Sequence, residues 1–182
     1  KAIAAGGDHS LALRTDGTVV AWGRNNLGQG TVPAGLTSVK AIAAGTNHNL
    51  ALRANGTVVA WGDNSSGQAS VPPGLSNVVA VAAGAFHSLA LKSNGTVAAW
   101  GLNDLGQATV PAGLTSVVAV AAGFYHNLAL RGNGTVAAWG YNGQGQTTVT
   151  PALLAEVRSR WGISPGRPFT PATGRPPMTG NG

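Results

Sequence analysis

Cysteine is absent from this 182-residue chain, which excludes disulfides, thiolate metal sites and cysteine nucleophiles together. Charge is scarce. Asp, Glu, Lys and Arg make up 9% of the residues against roughly 25% in typical soluble proteins, so long solvated surface helices are not expected. The longest apolar runs, such as Val78 to Ala83 and Val117 to Ala122, fall far below the ~20 residues that span a bilayer, and no membrane insertion is expected. Acids are the scarcest class of all: 11 Lys and Arg face 5 Asp and Glu, a net charge of +6. Four of the arginines and one of the acids lie after Thr150, which leaves seven basic against four acidic residues, or +3, before it. Arg14, Lys40, Arg53, Lys92 and Arg131 are spread singly, without the clustered basic stripe and interleaved aromatics of a nucleic-acid reader, so no nucleic-acid partner is expected. Lys1 opens the chain, as in a processed mature protein or an excised piece of a longer one.

What the chain does have is glycine, 28 of 182 residues, about twice the usual ~7% share. Its hydrophobic 43% comes mostly from Ala, Val and Leu, with ten aromatics (five Trp, two Tyr and three Phe). Such a composition suits small side chains packed between closely spaced sheets.

The sequence repeats itself. Trp22, Trp61, Trp100 and Trp139 are each 39 residues apart, and so are His9, His48, His87 and His126, the asparagines 25, 64, 103 and 142, and the glutamines 29, 68, 107 and 146. Four copies follow without insertion over 1–39, 40–78, 79–117 and 118–149. Within one copy, strand-like runs alternate with turn signals: Lys40 to Ala44, His48 to Arg53, Thr57 to Trp61, and Gln68 to Val71 before Pro72. Asp16-Gly17, Asn55-Gly56, Asn94-Gly95 and Asn133-Gly134 predict type I′ hairpin turns with positive φ at both central residues. Short repeats of four strands with a recurring Trp predict an all-β chain of four four-stranded propeller blades, as a partial or oligomer-completed ring.

The unit A-A-G-x-x-H-x-L-A-L-x-x-x-G-T-V-x-A-W-G-x-N-x-x-G-Q resembles the repeat of the regulator of chromosome condensation family, whose members build seven-bladed propellers. The copies are shorter than those of the eukaryotic founder and close with Val-Pro-x-Gly-Leu, and in this they are similar to compact bacterial propellers of the family, some of them secreted inhibitory proteins. The resemblance implies an extracellular or cell-surface bacterial protein, and it does not carry over the founder's nucleotide-exchange activity. Four blades spaced for a seven-blade ring cover little over half a circle and leave two unpaired faces, so self-association or a capping element is expected.

Residues 150–182 differ in kind: they hold six of the ten prolines. Thr150-Pro151 starts a helix signal, and Leu153, Leu154, Val157 and Trp161 share one helical face, predicting at most one short helix over 152–161.

No catalytic constellation emerges. Each His opens the second strand of its copy with no second ligand recurring beside it, which predicts a ring nitrogen bonded to loop backbone and no metal site. Asp8, Asp63 and Asp104 lie at different offsets, and Ser10 and Ser88 directly follow a His, where alternating strand side chains point apart. A non-catalytic protein needing no cofactor is expected. The loops before each His and after each Trp-Gly fall at the same end of the propeller and vary between copies, as surface loops also do by drift after duplication. Loops on a rigid scaffold commonly carry recognition. The candidate binding residues there are Asp8, Arg24, Asn47, Asp63, Phe86, Leu102, Phe124, Tyr125 and Tyr141, with Phe86, Phe124, Tyr125 and Tyr141 expected to cluster as an anchor for a protein partner. Alternatives are a carbohydrate ligand, or a structural module that self-assembles through its open blade faces.

Overall fold

A computed structural model describes residues 1–150; the helix expected over 152–161 lies outside them. The described chain is all β, with one sheet in each repeat. Blade one holds β1 (Ala2–Ala5), β2 (His9–Leu13) and β3 (Val19–Gly23), and blade two holds β4 (Val39–Ala44), β5 (His48–Arg53) and β6 (Val58–Gly62). Blade three holds β7 (Val78–Ala83), β8 (His87–Lys92) and β9 (Val97–Gly101), and blade four β10 (Val117–Ala122), β11 (His126–Arg131) and β12 (Val136–Gly140). Every sheet is an antiparallel meander with its strands in chain order.

The sheets have three strands, not the four expected. Gln68 to Val71 pairs with no strand, because Asn64 draws it into a turn: Asn64 Oδ1 accepts from the Ala69 N–H at 2.9 Å and from Ser70 Oγ at 3.1 Å. Pro72 then follows without an N–H to offer a ladder. Asn25, Asn103 and Asn142 close the same loop in the other blades.

The hairpin turns also differ from the type I′ expectation, since only their glycines (Gly17, Gly56, Gly95 and Gly134) have positive φ. Gly17 N–H donates to Arg14 O and Arg14 N–H to Thr18 O, which is a type I turn closed by a glycine bulge, the usual three-residue hairpin loop. Asp16 Oδ1 holds the backbone N–H and the hydroxyl of Thr18 at 2.8 and 2.7 Å, so this acceptor role replaces the left-handed role expected of it.

Packing lies between blades. Leu11 and Leu13 of blade one, wholly buried, meet Ile42, Ala51, Val59 and Trp61 of blade two, and equivalent residues fill the next two junctions. Alternation along the second strand explains the arrangement: His9 and Leu11 point toward the following blade, Ser10 and Ala12 toward the preceding side. The first strands adjoin one another in the order β1, β4, β7, β10. Trp22 is 54% exposed where Trp61, Trp100 and Trp139 are 7% exposed, and Ile3 is 85% exposed. Blade one therefore has an uncovered face among the described residues, and the four blades form an arc.

Candidate functional site

At one end of the arc the loop before each His and the loop after each Trp-Gly lie side by side. Arg24 N–H donates to Asp8 O, Asp63 to Asn47, Leu102 to Phe86 and Tyr141 to Tyr125, all within 2.9 Å. The two loop sets, expected at the same end of the propeller, are thus tied together in every blade. The first-strand ends and the loops before the histidines line an open concavity of about 340 Å³, walled by Ala and Gly with Thr46 and Phe124.

The face is chemically two-sided. Blades one and two present Asp8, Arg24, Asn47 and Asp63, with Arg24 Nη1 paired to Asp8 Oδ2 at 3.2 Å. Both partners are more than half exposed, so the pair contributes little to stability. Blades three and four present aromatics. Phe124 and Tyr125 meet edge to face with centroids 4.6 Å apart, Phe86 meets Phe124 edge to face at 6.1 Å, and Phe86 stacks with Tyr125 at 6.4 Å. Tyr141 is not a member of this cluster; its ring lies over Gly143 of its own loop. The lack of a side chain at Gly143 is what leaves room for the ring there.

Gln107 sits at the junction of the same two blades, its carbonyl accepting from Asn127 and Trp139, and its role was not visible in the sequence. In blade two, Gln68 Nε2 donates to Asp63 Oδ2 at 2.9 Å, and in blade one Gln29 Nε2 reaches Asn26 and Asn47 at 3.4 Å. The residues at the Asp63 and Asn47 offsets around Gln107 are Leu102 and Tyr125. Gln107 is wholly buried, and its Nε2 has no acceptor among the described residues. An unmet buried donor costs roughly 1–3 kcal/mol.

The histidines hold blades together, though not through loop backbone as expected. His9 Nε2 donates to Asn49 Oδ1 at 2.7 Å, His48 to Ser88 Oγ at 3.0 Å and His87 to Asn127 Oδ1 at 2.7 Å, each partner being in the next blade. Asn49 Nδ2, Ser88 Oγ and Asn127 Nδ2 spend their own hydrogens on the carbonyls of Gln29, Gln68 and Gln107, so the imidazoles must be the donors. Burial, reinforced by the His87 imidazole, pushes the His48 pKa down to about 4, and burial lowers that of His87. His48 and His87 are thus held as neutral rings. Ser88 and His48 do touch, but the hydrogen runs from imidazole to hydroxyl, the reverse of what a base activating a nucleophile requires. No group of three His, Asp or Glu side chains that could hold a metal ion occurs among the described residues.

The regulator of chromosome condensation (RCC1) repeat matches residues 1–29, 39–68, 78–107 and 117–146. The chain belongs to this family. It is similar to the Prp20p protein of Saccharomyces cerevisiae, described with its binding properties to Gsp1p and histones, at 27% identity and a TM-score of 0.72 over 82% of this chain and 47% of that one. A structure of Kap60 bound to yeast RCC1 (Prp20) gives 28% identity and a TM-score of 0.70 over 82% of this chain and 45% of that one. The ectodomain of the Physcomitrella patens receptor kinase CR4 gives 28% and 0.65 over 77% and 40%. The chain thus spans less than half the length of these three chains. No curated protein sequence matches it.

Proposed function

We propose that this RCC1-type propeller is a non-catalytic module that binds a protein partner through its variable loop face, with Phe86, Phe124 and Tyr125 as the anchor. The observation that carries the reading is the three-ring cluster, whose Phe124 lines the concavity and is 57% exposed. An aromatic group of this kind, held on a rigid scaffold beside polar loops, has the make-up of an interface hot spot with its rim. The unmet donor of Gln107 supports it, because local departures from a framework's own bonding pattern tend to fall at functional positions. The yeast relatives, described with Kap60, Gsp1p and histones, are in keeping with a protein as partner.

The test is affinity capture with the 182-residue chain as bait, followed by titration of the purified captured protein. Replacing Phe86, Phe124 and Tyr125 together with Ala is expected to weaken binding well over tenfold, since buried anchors commonly contribute 2 kcal/mol or more each. Ala54→Gln with Ser93→Gln, at the opposite end, is expected to leave it unchanged. Equal binding by the triple variant, or loss from the opposite end alone, overturns the reading.

A further inference from the structure

The three junctions between blades are built alike, and each end of the arc carries one half of a fourth. At every junction the earlier blade supplies an imidazole N–H, a backbone N–H two residues before that His, and the carbonyl of its recurring Gln. Between blades two and three these are His48 Nε2 to Ser88 Oγ at 3.0 Å, Thr46 N–H to Ala85 O at 3.3 Å, and Gln68 O accepting from Ser88 Oγ at 2.8 Å and Trp100 Nε1 at 2.9 Å. Ser88 and Trp100 are cross-strand partners, which is why both reach one carbonyl.

Blade four presents the same donor half with nothing against it among the described residues: His126, the Phe124 N–H and the Gln146 carbonyl. Beside them Leu128 is 37% exposed, whereas Leu11, Leu50 and Leu89 at its offset are wholly buried. Blade one presents the acceptor half: Ser10 and Trp22, cross-strand partners like Ser88 and Trp100, with the Gly7 carbonyl and the exposed Ile3.

We infer that a second copy of this chain covers these faces, blade one of one copy docking on blade four of the other. The contact continues a junction the chain already makes three times. His126 donates to Ser10, Ser10 and Trp22 donate to Gln146 O, and Phe124 N–H donates to Gly7 O, while Ile3 and Trp22 bury Leu128. Ser10 fits that position because Ser88 fills it between blades two and three. Such a contact joins unlike faces, so it either closes two copies into a ring or runs on as an open chain. It does not depend on the loop-face reading: Phe124 is common to both, but the junction uses its backbone N–H and the loop face its ring.

The experiment measures the native mass of the 182-residue chain with one face blocked at a time. Wild type is expected at twice the chain mass or more. Trp22→Glu blocks the blade-one face and Leu128→Glu the blade-four face, each at an exposed side chain, and each variant alone is expected to be monomeric. Mixed in equal amounts, they keep one intact pair of faces between them and are expected to form a one-to-one pair. Ser10→Lys, a second block on blade one, is expected to behave as Trp22→Glu does. A wild type that stays monomeric throughout the micromolar range, a mixture that does not pair, or a single variant that still self-associates would overturn the inference.

Discussion

His48 donates its Nε2 hydrogen to Ser88 Oγ across 3.0 Å, from one blade to the next, while Ser88 passes its own hydrogen to Gln68 O at 2.8 Å. The relay consumes every hydrogen it contains and leaves both side chains wholly buried. Cohesion of the arc thus rests on a polar thread through an apolar junction, with the Trp100 indole N–H ending on the same Gln68 carbonyl at 2.9 Å.

Ser88→Ala strips the imidazole N–H of its acceptor and is expected to cost about 1–3 kcal/mol. Ser88→Asn rebuilds the link used by Asn49 and Asn127 and is expected to be more stable than Ser88→Ala. Urea titrations of the two variants check the contrast, and equal stability of Ser88→Ala and wild type would show that the relay does not hold the blades.

Acid should loosen the junctions. The His48 pKa falls from its ordinary 6.5 to about 4 on folding, so above 6.5 the ring is neutral in both states and has no effect on stability. Between 6.5 and 4 only the unfolded chain takes up the proton, and stability drops by about 2–3 kcal/mol across that window. His87, lowered in the same direction, adds to the fall. Denaturation at pH 7.5 and 4.5 measures it, and His48→Gln is expected to flatten the slope. An equal slope in that variant would exclude His48 as its source.

How far the sequence speaks depends on which atoms do the work. The 39-residue series reveals that there are four blades, three of the strands in each and the Trp positions, because those depend on side chains that must recur. The role of the glutamine series is hidden: Gln29, Gln68 and Gln107 accept two bonds each through their backbone carbonyls, and a carbonyl leaves no trace in residue identity. The fourth run, Gln68 to Val71, reads as a strand because its turn is imposed by Asn64, four residues upstream of its start. Tyr141 fits an aromatic cluster by offset alone, and only the fold of its loop over Gly143 takes it away.

Two kinds of glycine should respond differently to a methyl group. A Cβ on Gly45 would collide with the His48 ring and with the Gly84 carbonyl, and Gly45→Ala is expected to cost about 3 kcal/mol or more by forcing the junction apart. Gly74 has open space around it but a φ of +76, so Gly74→Ala is expected to cost only the left-handed penalty of about 1–2 kcal/mol. Thermal melts rank the two, and the reverse order would contradict the packing of imidazole on glycine.

Each later blade is entered through a left-handed residue: Ser38, Asn77 and Ser116 have φ of 56, 57 and 57. Asparagine tolerates that conformation better than serine. Ser116→Asn, copying Asn77, is therefore expected to stabilise the fold by on the order of 0.5 kcal/mol. A loss of stability in the same denaturation assay would mean that the serine hydroxyl has a role of its own there.

The buried Gln107 Nε2 offers a test in which stability and recognition move in opposite directions. Its counterpart in blade two is satisfied by Asp63, and Leu102 occupies the Asp63 offset in blade three. Leu102→Asn returns an acceptor oxygen to that place without adding charge next to Asp104. The variant is expected to gain about 1 kcal/mol in stability by meeting the stranded donor, while its polar side chain, near-isosteric with leucine, takes an apolar group from the loop that is tied to Phe86 O by the Leu102 N–H at 2.9 Å. If the aromatic half is the binding anchor, affinity for the captured partner falls several-fold as the melting temperature rises, the trade expected where a framework has given up internal bonding for a surface. A rise in stability with unchanged affinity would separate Gln107 from recognition, and a fall in stability would show that Leu102 packs in a way the polar side chain cannot replace.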